Sequence, residues 1–330
     1  MSSAAALAFD DWTATQPHLL AQARWHRDVS WSGHPLIPPW VNLNDVGLDR
    51  FFTKLDVAEQ CWEWMQDEMR ADHADPDVYW YVDPSAGDGV FYDLLPEGRR
   101  SGVEIVPDRA EFDCTDYLSW LPPSSQPSNR IAVIGNPPFG YRAWLALAFV
   151  NHSAVFADYI GMILPMAFQS DGKGSPKYRV HGAQLIRQEH LPVGSFCDDY
   201  GQPVQVNALW QIWRRGVNNR PPNSTCDQWV DLFTVDMRKE RLCGQEKLAV
   251  ADWFLQRTFY SEPPQLVRDF SEVRYVCGYG IIIKQDADDV TRCLSDIDWC
   301  DYSNLAAHNC RHISMYHIRQ ALIDSGFVDA

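Results

Sequence analysis

Two short β-rich runs, Val78–Val82 and Ile131–Ile134, each end in a turn far more specialised than a plain connection needs. The first runs into Asp83-Pro-Ser-Ala-Gly87-Asp-Gly89-Val-Phe91, which reads as a strand, a Gly-rich turn and a helix start. The second runs into Gly135-Asn136-Pro137-Pro138-Phe139-Gly140, followed by a helix with apolar Trp144, Leu145, Ala148 and Phe149. Further strand candidates are Gly102–Ile105 and Tyr159–Leu164, the latter closed by Pro165. Strands alternating with helices predict a parallel α/β sheet with helices on both faces. In such sheets ligands sit beyond the carboxyl ends of the strands, where both special turns fall.

The flanks are organised differently. Residues 1–47 are rich in Trp and Pro, and the three prolines of His34–Trp40 exclude a long helix there, so an N-terminal arm is expected. An amphipathic helix follows, with Val57, Cys61, Met65 and Met69 on one face and Asp56 as its expected N-cap. Residues 170–179 read as a polar loop and Val206–Trp213 as a strand. Residues 216–227 read as a linker. Beyond it, Tyr279–Ile283 predicts a strand and Ile313–Phe327 a terminal helix with Ile318, Leu322 and Ile323 on one face. The expected division is an arm at 1–47, a core domain at 48–216, and a small α+β accessory or substrate-recognition region at 217–330.

Composition narrows the function classes. With 46% hydrophobic residues the chain can build a full core, which excludes a disordered chain. The net charge of −16 excludes a globally basic nucleic-acid coat protein, though not a local basic site. No run approaches the roughly 18 apolar residues of a membrane span. The start MSSAAALAFDDW lacks a basic n-region, so no signal peptide is expected. Nine scattered cysteines without a Cys-x-x-Cys pair predict free thiols in a reducing compartment, cytoplasmic or nuclear. Cys293, Cys300, His308, Cys310 and His312 follow no common zinc spacing, so no metal is expected.

The chemistry of the turns points further. A Gly-rich turn lets backbone approach a ligand closely, and in dinucleotide sites its N–H groups face a pyrophosphate. Here Asp83 and Asp88 would repel phosphate. They suit a cationic, hydroxyl-bearing ligand, which favours S-adenosylmethionine over NAD. Glu104 lies about 20 residues on, where a ribose diol is usually held. The bland alternative is an ordinary strand-to-helix turn with solvated acids. In Asn136–Phe139 two prolines lock the backbone, so an amide oxygen and a carbonyl can converge on one –NH2. Phe139 can stack on a planar ring, an interaction of about 1–3 kcal/mol for bases. The bland alternative here is a Pro-Pro loop over a buried Phe.

In this order the motifs resemble the S-adenosylmethionine-dependent amino-methyltransferases of the adenine-N6 type, in the gamma-type order that puts the cofactor half before the catalytic half. Phe51-Phe52-Thr53-Lys54 resembles the element over the methionine end of the cofactor. Asp83–Phe91 resembles the main cofactor loop, with Asp83, Ser85, Gly87, Asp88, Gly89 and Phe91 as its contacts. Glu104-Ile-Val-Pro107 resembles the ribose-binding strand end. Asp116-Tyr-Leu118 resembles the segment at the cofactor adenine, with Asp113 as a competing acid. Asn136-Pro137-Pro138-Phe139 matches the family's catalytic tetrapeptide, in which Asn136 also touches the cofactor. The resemblance spans roughly 48–215. It implies a Rossmann-like class I methyltransferase sheet and direct in-line methyl transfer, with neither a metal nor a covalent intermediate. The target amine is held between the Asn136 side chain and the Pro137 carbonyl. A duplex target would have to be flipped out, at a few kcal/mol.

The substrate classes this leaves are adenine in DNA first, then adenine in RNA or a protein glutamine amide. A third option is a binding module that keeps the fold without catalysis. Residues 165–220 carry seven basic residues (Lys173, Lys177, Arg179, Arg187, Arg214, Arg215, Arg220) against four acidic ones. Lys173, Lys177 and Arg179 are the candidate phosphate contacts, the alternative being a solvated loop. The sparse basic charge implies weak, salt-sensitive affinity for nucleic acid, or a substrate that is small or handed over by a partner protein. Trp40 and Tyr141 are candidate pocket-wall aromatics.

Overall fold

The structure, a computed structural model, describes residues 51–124, 128–140, 143–171, 174–198, 200–220, 225–236, 248–268, 277–306 and 309–329. The expected arm at 1–47, and with it Trp40, lies outside these residues, as do Tyr141, Lys173 and His308. The chain divides into two compact units. One runs to Phe168 and resumes over Ser175–Asn219, and the other takes Gln169–Gly174 and the chain from Arg220.

The first unit is mixed α/β. In chain order it holds β1 (Phe52–Thr53), α1 (Leu55–Ala71), β2 (Trp80–Asp83), β3 (Arg100–Glu104), β4 (Asp113–Cys114) and β5 (Ile131–Gly135). Then come α2 (Trp144–Ala154), β6 (Tyr159–Pro165), β7 (Ala183–His190), β8 (Phe196–Cys197), β9 (Pro203–Val204) and β10 (Ala208–Arg215). Seven strands form one sheet in the order β4-β3-β2-β5-β6-β10-β7. All pairs are parallel except those of β10, which runs antiparallel to both β6 and β7. Chain order reverses between β2 and β5, so their carboxyl ends flank the sheet's topological switch point. The short β1, β8 and β9 form a separate antiparallel sheet.

Alternation along the strands explains the core. Ala132, Ile134, Tyr159 and Ile163 pack with Val57, Cys61, Met65 and Met69 of α1, the face that the four-residue spacing predicts. Gly161 stands on the same side because a Cβ there would come within 2.6 Å of Trp210. Ile131, Val133, Ile160, Met162 and Leu164 point the other way and are also buried. The helix α2 packs on β6 and is buried at every position from Trp144 to Ser153.

Two local expectations change. Lys54 rather than Asp56 is the N-cap residue of α1, because the Lys54 N–H is bonded to the Ser195 carbonyl beside β1 and the helix starts at once. Asp56 sits in the first turn, where its carboxylate suits the positive end of the helix. The Gly-rich turn also opens no α-helix: only a single 3₁₀ turn, Tyr92–Leu94, follows it. Pro96 disfavours helical backbone at Leu95, which is extended (φ −77°, ψ 149°). Arg100 donates to the carbonyls of Tyr92 and Leu95 at the end of this turn.

The second unit is α+β. It holds β11 (Val230–Asp236), β12 (Trp253–Gln256), β13 (Thr258–Phe259), β14 (Cys277–Ile283), α3 (Ala287–Asp296), β15 (Asn304–Leu305), β16 (Arg311–His312) and α4 (Met315–Asp324). The antiparallel sheet β11-β14-β12 packs through Val230, Leu255, Tyr279 and Ile281 against Val290, Leu294, Ile318 and Leu322 of the two helices. Ser314 and His317 form a reciprocal capping box on α4. Part of the expected linker is fixed: Asp329 accepts hydrogen bonds from Thr225, Asp227 and Gln228. Among the described residues no group of three metal-ligating side chains converges, and no helix is long and apolar enough to cross a membrane.

Candidate functional site

At the switch point the turns after β2 and β5 enclose a cavity of about 410 Å³. It gathers residues from well-separated sequence segments: Phe51–Thr53, the turn Asp83–Asp88 with Val90 and Phe91, the end of β3 from Glu104, Thr115–Leu118, Asn136–Phe139, and Leu145 with Phe149 on α2. Every residue expected at a cofactor or catalytic site lines it except Gly89. Gly89 (φ +96°) and Gly87 (φ +53°) instead give the turn its left-handed positions, which a side chain would strain.

Asn136 is the best-defined group. Its Nδ2 donates to the Phe51 carbonyl at 3.0 Å and to Thr53 Oγ1 at 3.2 Å. A carbonyl can only accept, so nitrogen must face Phe51, and Oδ1 is left as the amide's acceptor. The Asn136 main-chain carbonyl is engaged separately by the Ser85 hydroxyl at 2.9 Å. That bond ties the β5 loop to the β2 turn. Phe139 is half-buried against the α1 face of the core and lines the cavity.

Acids line the same cavity. Glu104 accepts the Gly87 N–H at 3.0 Å with one oxygen and the Val106 N–H at 3.3 Å with the other, so it holds two loops in register. Asp83 is 1% exposed and accepts the Ser85 N–H. Burial pushes its carboxyl up to about 8. Glu104 and Asp88 add to the rise, and the Ser85 and Tyr92 N–H groups oppose it. Gly135 allows this arrangement, since a Cβ there would meet Asp83 Oδ1 at 2.7 Å and Pro84 at 2.8 Å. Asp116 caps the turn Tyr117–Ser119 through Oδ1, while its buried Oδ2 has no partner among the described residues. Burial pushes Asp116 up to about 8 as well. Asp113, the competing acid, is exposed on β4 and accepts from Trp120 Nε1, outside the cavity.

Asp83, Asp88, Glu104, Asp108 and Asp116 all line the cavity, and no described Lys or Arg does. Nearby Arg109 is consumed by Asp93 at 2.7 Å and Glu111 at 2.7 Å. With Asp83 and Asp116 holding protons near neutral pH, the lining still carries three further acids and no described cation, which disfavours a phosphate-bearing ligand. Lys177 and Arg179 lie on a 3₁₀ turn, Pro176–Arg179, and do not line the cavity. Asp108, Thr115, Leu145 and Phe149 line it without having been expected there. The two α2 residues read in sequence as ordinary helix core, and their four-residue spacing was the only available signal.

No family model matches the chain, and no curated protein matches it. Among solved structures, a candidate RNA methyltransferase of Pyrococcus horikoshii is 14% identical with a TM-score of 0.38. The match covers 52% of this chain and 88% of that one. A Thermoplasma acidophilum protein is 17% identical with a TM-score of 0.31, covering 49% of this chain and 87% of the other.

Proposed function

We propose that the chain is an S-adenosylmethionine-dependent N-methyltransferase acting on an exocyclic amine of the adenine-N6 type, in DNA ahead of RNA. The observation that carries this reading is the Asn136 amide, whose nitrogen is held by Phe51 and Thr53 so that its oxygen is the remaining acceptor. On this reading it acts with the Pro137 carbonyl of the same proline-locked loop, the two acceptors that one –NH2 requires. Drawing on both N–H bonds makes the nitrogen lone pair more available, and prepositioned acceptors stabilise positive charge as it develops there.

The cavity suits the cofactor on its own evidence. Asp116 and Glu104 both line it, and on this reading they face the adenine and the ribose diol of the cofactor. Asp88 favours the cationic methionine end, with Asp83, Phe52, Thr53, Ser85, Gly87 and Phe91 shaping the walls. When bound, the cofactor supplies an electrophilic sulfonium methyl group. Phe139 is the stacking surface for the acceptor ring. Lys177 and Arg179, with Lys173, remain candidates for phosphate contacts beyond the cavity.

A second reading, methylation of a protein glutamine amide, is favoured by one observation. The arginines of the first unit are largely engaged by carboxylates, as in Arg187 with Glu68, Arg214 with Asp72 and Arg99 with Asp77. The test is mass spectrometry of digested products after incubating the full chain and cofactor with unmethylated DNA, total RNA and a protein extract. N6-methyladenine in the DNA digest supports the first reading. Methylglutamine in the protein digest alone supports the second. No methylated product from any pool would overturn both.

A further inference from the structure

The orientation of the Asn136 amide is set from outside its own loop. Either end of an unconstrained amide could face the cavity, and the wrong end would present N–H groups to an incoming amine. The two anchors come from a segment more than 80 residues earlier, the Phe51 carbonyl and the Thr53 hydroxyl. Thr53 is 5% exposed on β1. It is registered by pairing with Phe196 of β8 and, one residue on, by the Lys54 N–H bonding the Ser195 carbonyl at 3.0 Å. The hydroxyl is therefore delivered by a small sheet separate from the one carrying Asn136.

We propose that Thr53 is a positioning residue whose hydroxyl, with the Phe51 carbonyl, keeps the Asn136 amide oxygen turned to the substrate amine. This deepens the methyltransferase reading and rests on it. Thr53 also lines the cavity, so a direct contact with the cofactor is the rival explanation, and the two differ in what they disturb.

The experiment compares the full-length protein with Thr53→Val, which keeps the shape and loses the acceptor, and Thr53→Ser, which keeps the acceptor. Three quantities are read: calorimetric affinity for S-adenosylmethionine, turnover on whichever probe the wild type methylates, and hydrogen exchange of the Asn136 side-chain amide in asparagine-labelled NMR samples. For Thr53→Val the expected result is cofactor affinity within about twofold, and turnover lowered about tenfold at unchanged substrate KM. Amide exchange should be faster by a similar factor, the scale of one ordinary hydrogen bond. Thr53→Ser should restore both. Weakened cofactor affinity with unchanged turnover would overturn the proposal and make Thr53 a cofactor contact. Unchanged exchange and turnover in a folded Thr53→Val protein would overturn it outright. A wild type that methylates no probe would sink the methyltransferase reading, and with it the catalytic role of Thr53. The exchange measurement would still decide whether the hydroxyl holds the amide. Thr53→Ala serves if the valine variant does not fold.

Discussion

The turns after β2 and β5 line one cavity and are built by different means. The β2 turn carries two acids, Asp83 and Asp88, and its left-handed positions are glycines, Gly87 and Gly89. The β5 loop is built on restriction: Pro137 and Pro138 limit its backbone, and Phe51 and Thr53 hold the Asn136 amide nitrogen. Strain is distributed the same way. The β5 loop leads to Ala143, a non-glycine residue with φ +63° at the start of α2. Costly backbone thus sits on the side assigned to chemistry, and the side assigned to cofactor binding uses residues that tolerate its geometry.

Substitutions on the two sides should separate turnover from cofactor affinity. The largest effect is expected from Asn136→Ala, with turnover falling about 10²–10³-fold, as for loss of one preorganised transition-state contact. Cofactor affinity should stay within about twofold by calorimetry. Comparable losses in both would erase the distinction between the turns. Gly87→Val strains a left-handed position by about 1–2 kcal/mol. It should weaken cofactor binding about tenfold and leave turnover at saturating cofactor unchanged.

The buried acids supply a pH test of the acid-bearing side. Their folded values near 8 lie above the unfolded carboxylate value, so the native state binds more protons between about pH 4 and pH 8. The stability they contribute is fully present below that window and declines as pH rises through it, levelling off beyond about pH 8. Asp116→Asn should flatten part of this slope and raise the melting temperature at pH 8.5 by a few degrees. A variant melting below the wild type at that pH would contradict the assignment of a buried, proton-holding carboxyl. The smallest effect is expected from Ala143→Gly, a gain of about 1 kcal/mol in denaturant unfolding from relief of the left-handed strain. No gain would remove strain from the contrast between the two turns.

What the sequence showed and what it hid have physical causes. The buried parallel strands and α1 were legible because their apolar spacing repeats, as at Val57, Cys61, Met65 and Met69. The turns were legible because Gly87, Pro137 and Pro138 restrict or free the backbone in recognisable ways. The strand β7 was not, since Ala183–His190 is a polar, half-buried edge strand with no alternation to read. The α-helix expected after Gly89 failed on Pro96, a local signal outweighed by the motif before it. Asp116 and Asp113 looked alike in sequence, and only burial separates them. The hold on Asn136 joins residues more than 80 positions apart, and the Phe51 half of it is a main-chain carbonyl that any residue would supply.

The most direct test of the central claim, that this carboxylate-lined cavity takes a cationic methyl donor, is a calorimetric titration of the full chain with S-adenosylmethionine, with NAD as the competing ligand. Micromolar-range, saturable binding of S-adenosylmethionine, lost in Asp88→Ala, with no heat from NAD, is the expected result. Saturable binding of NAD with none of S-adenosylmethionine would contradict the account.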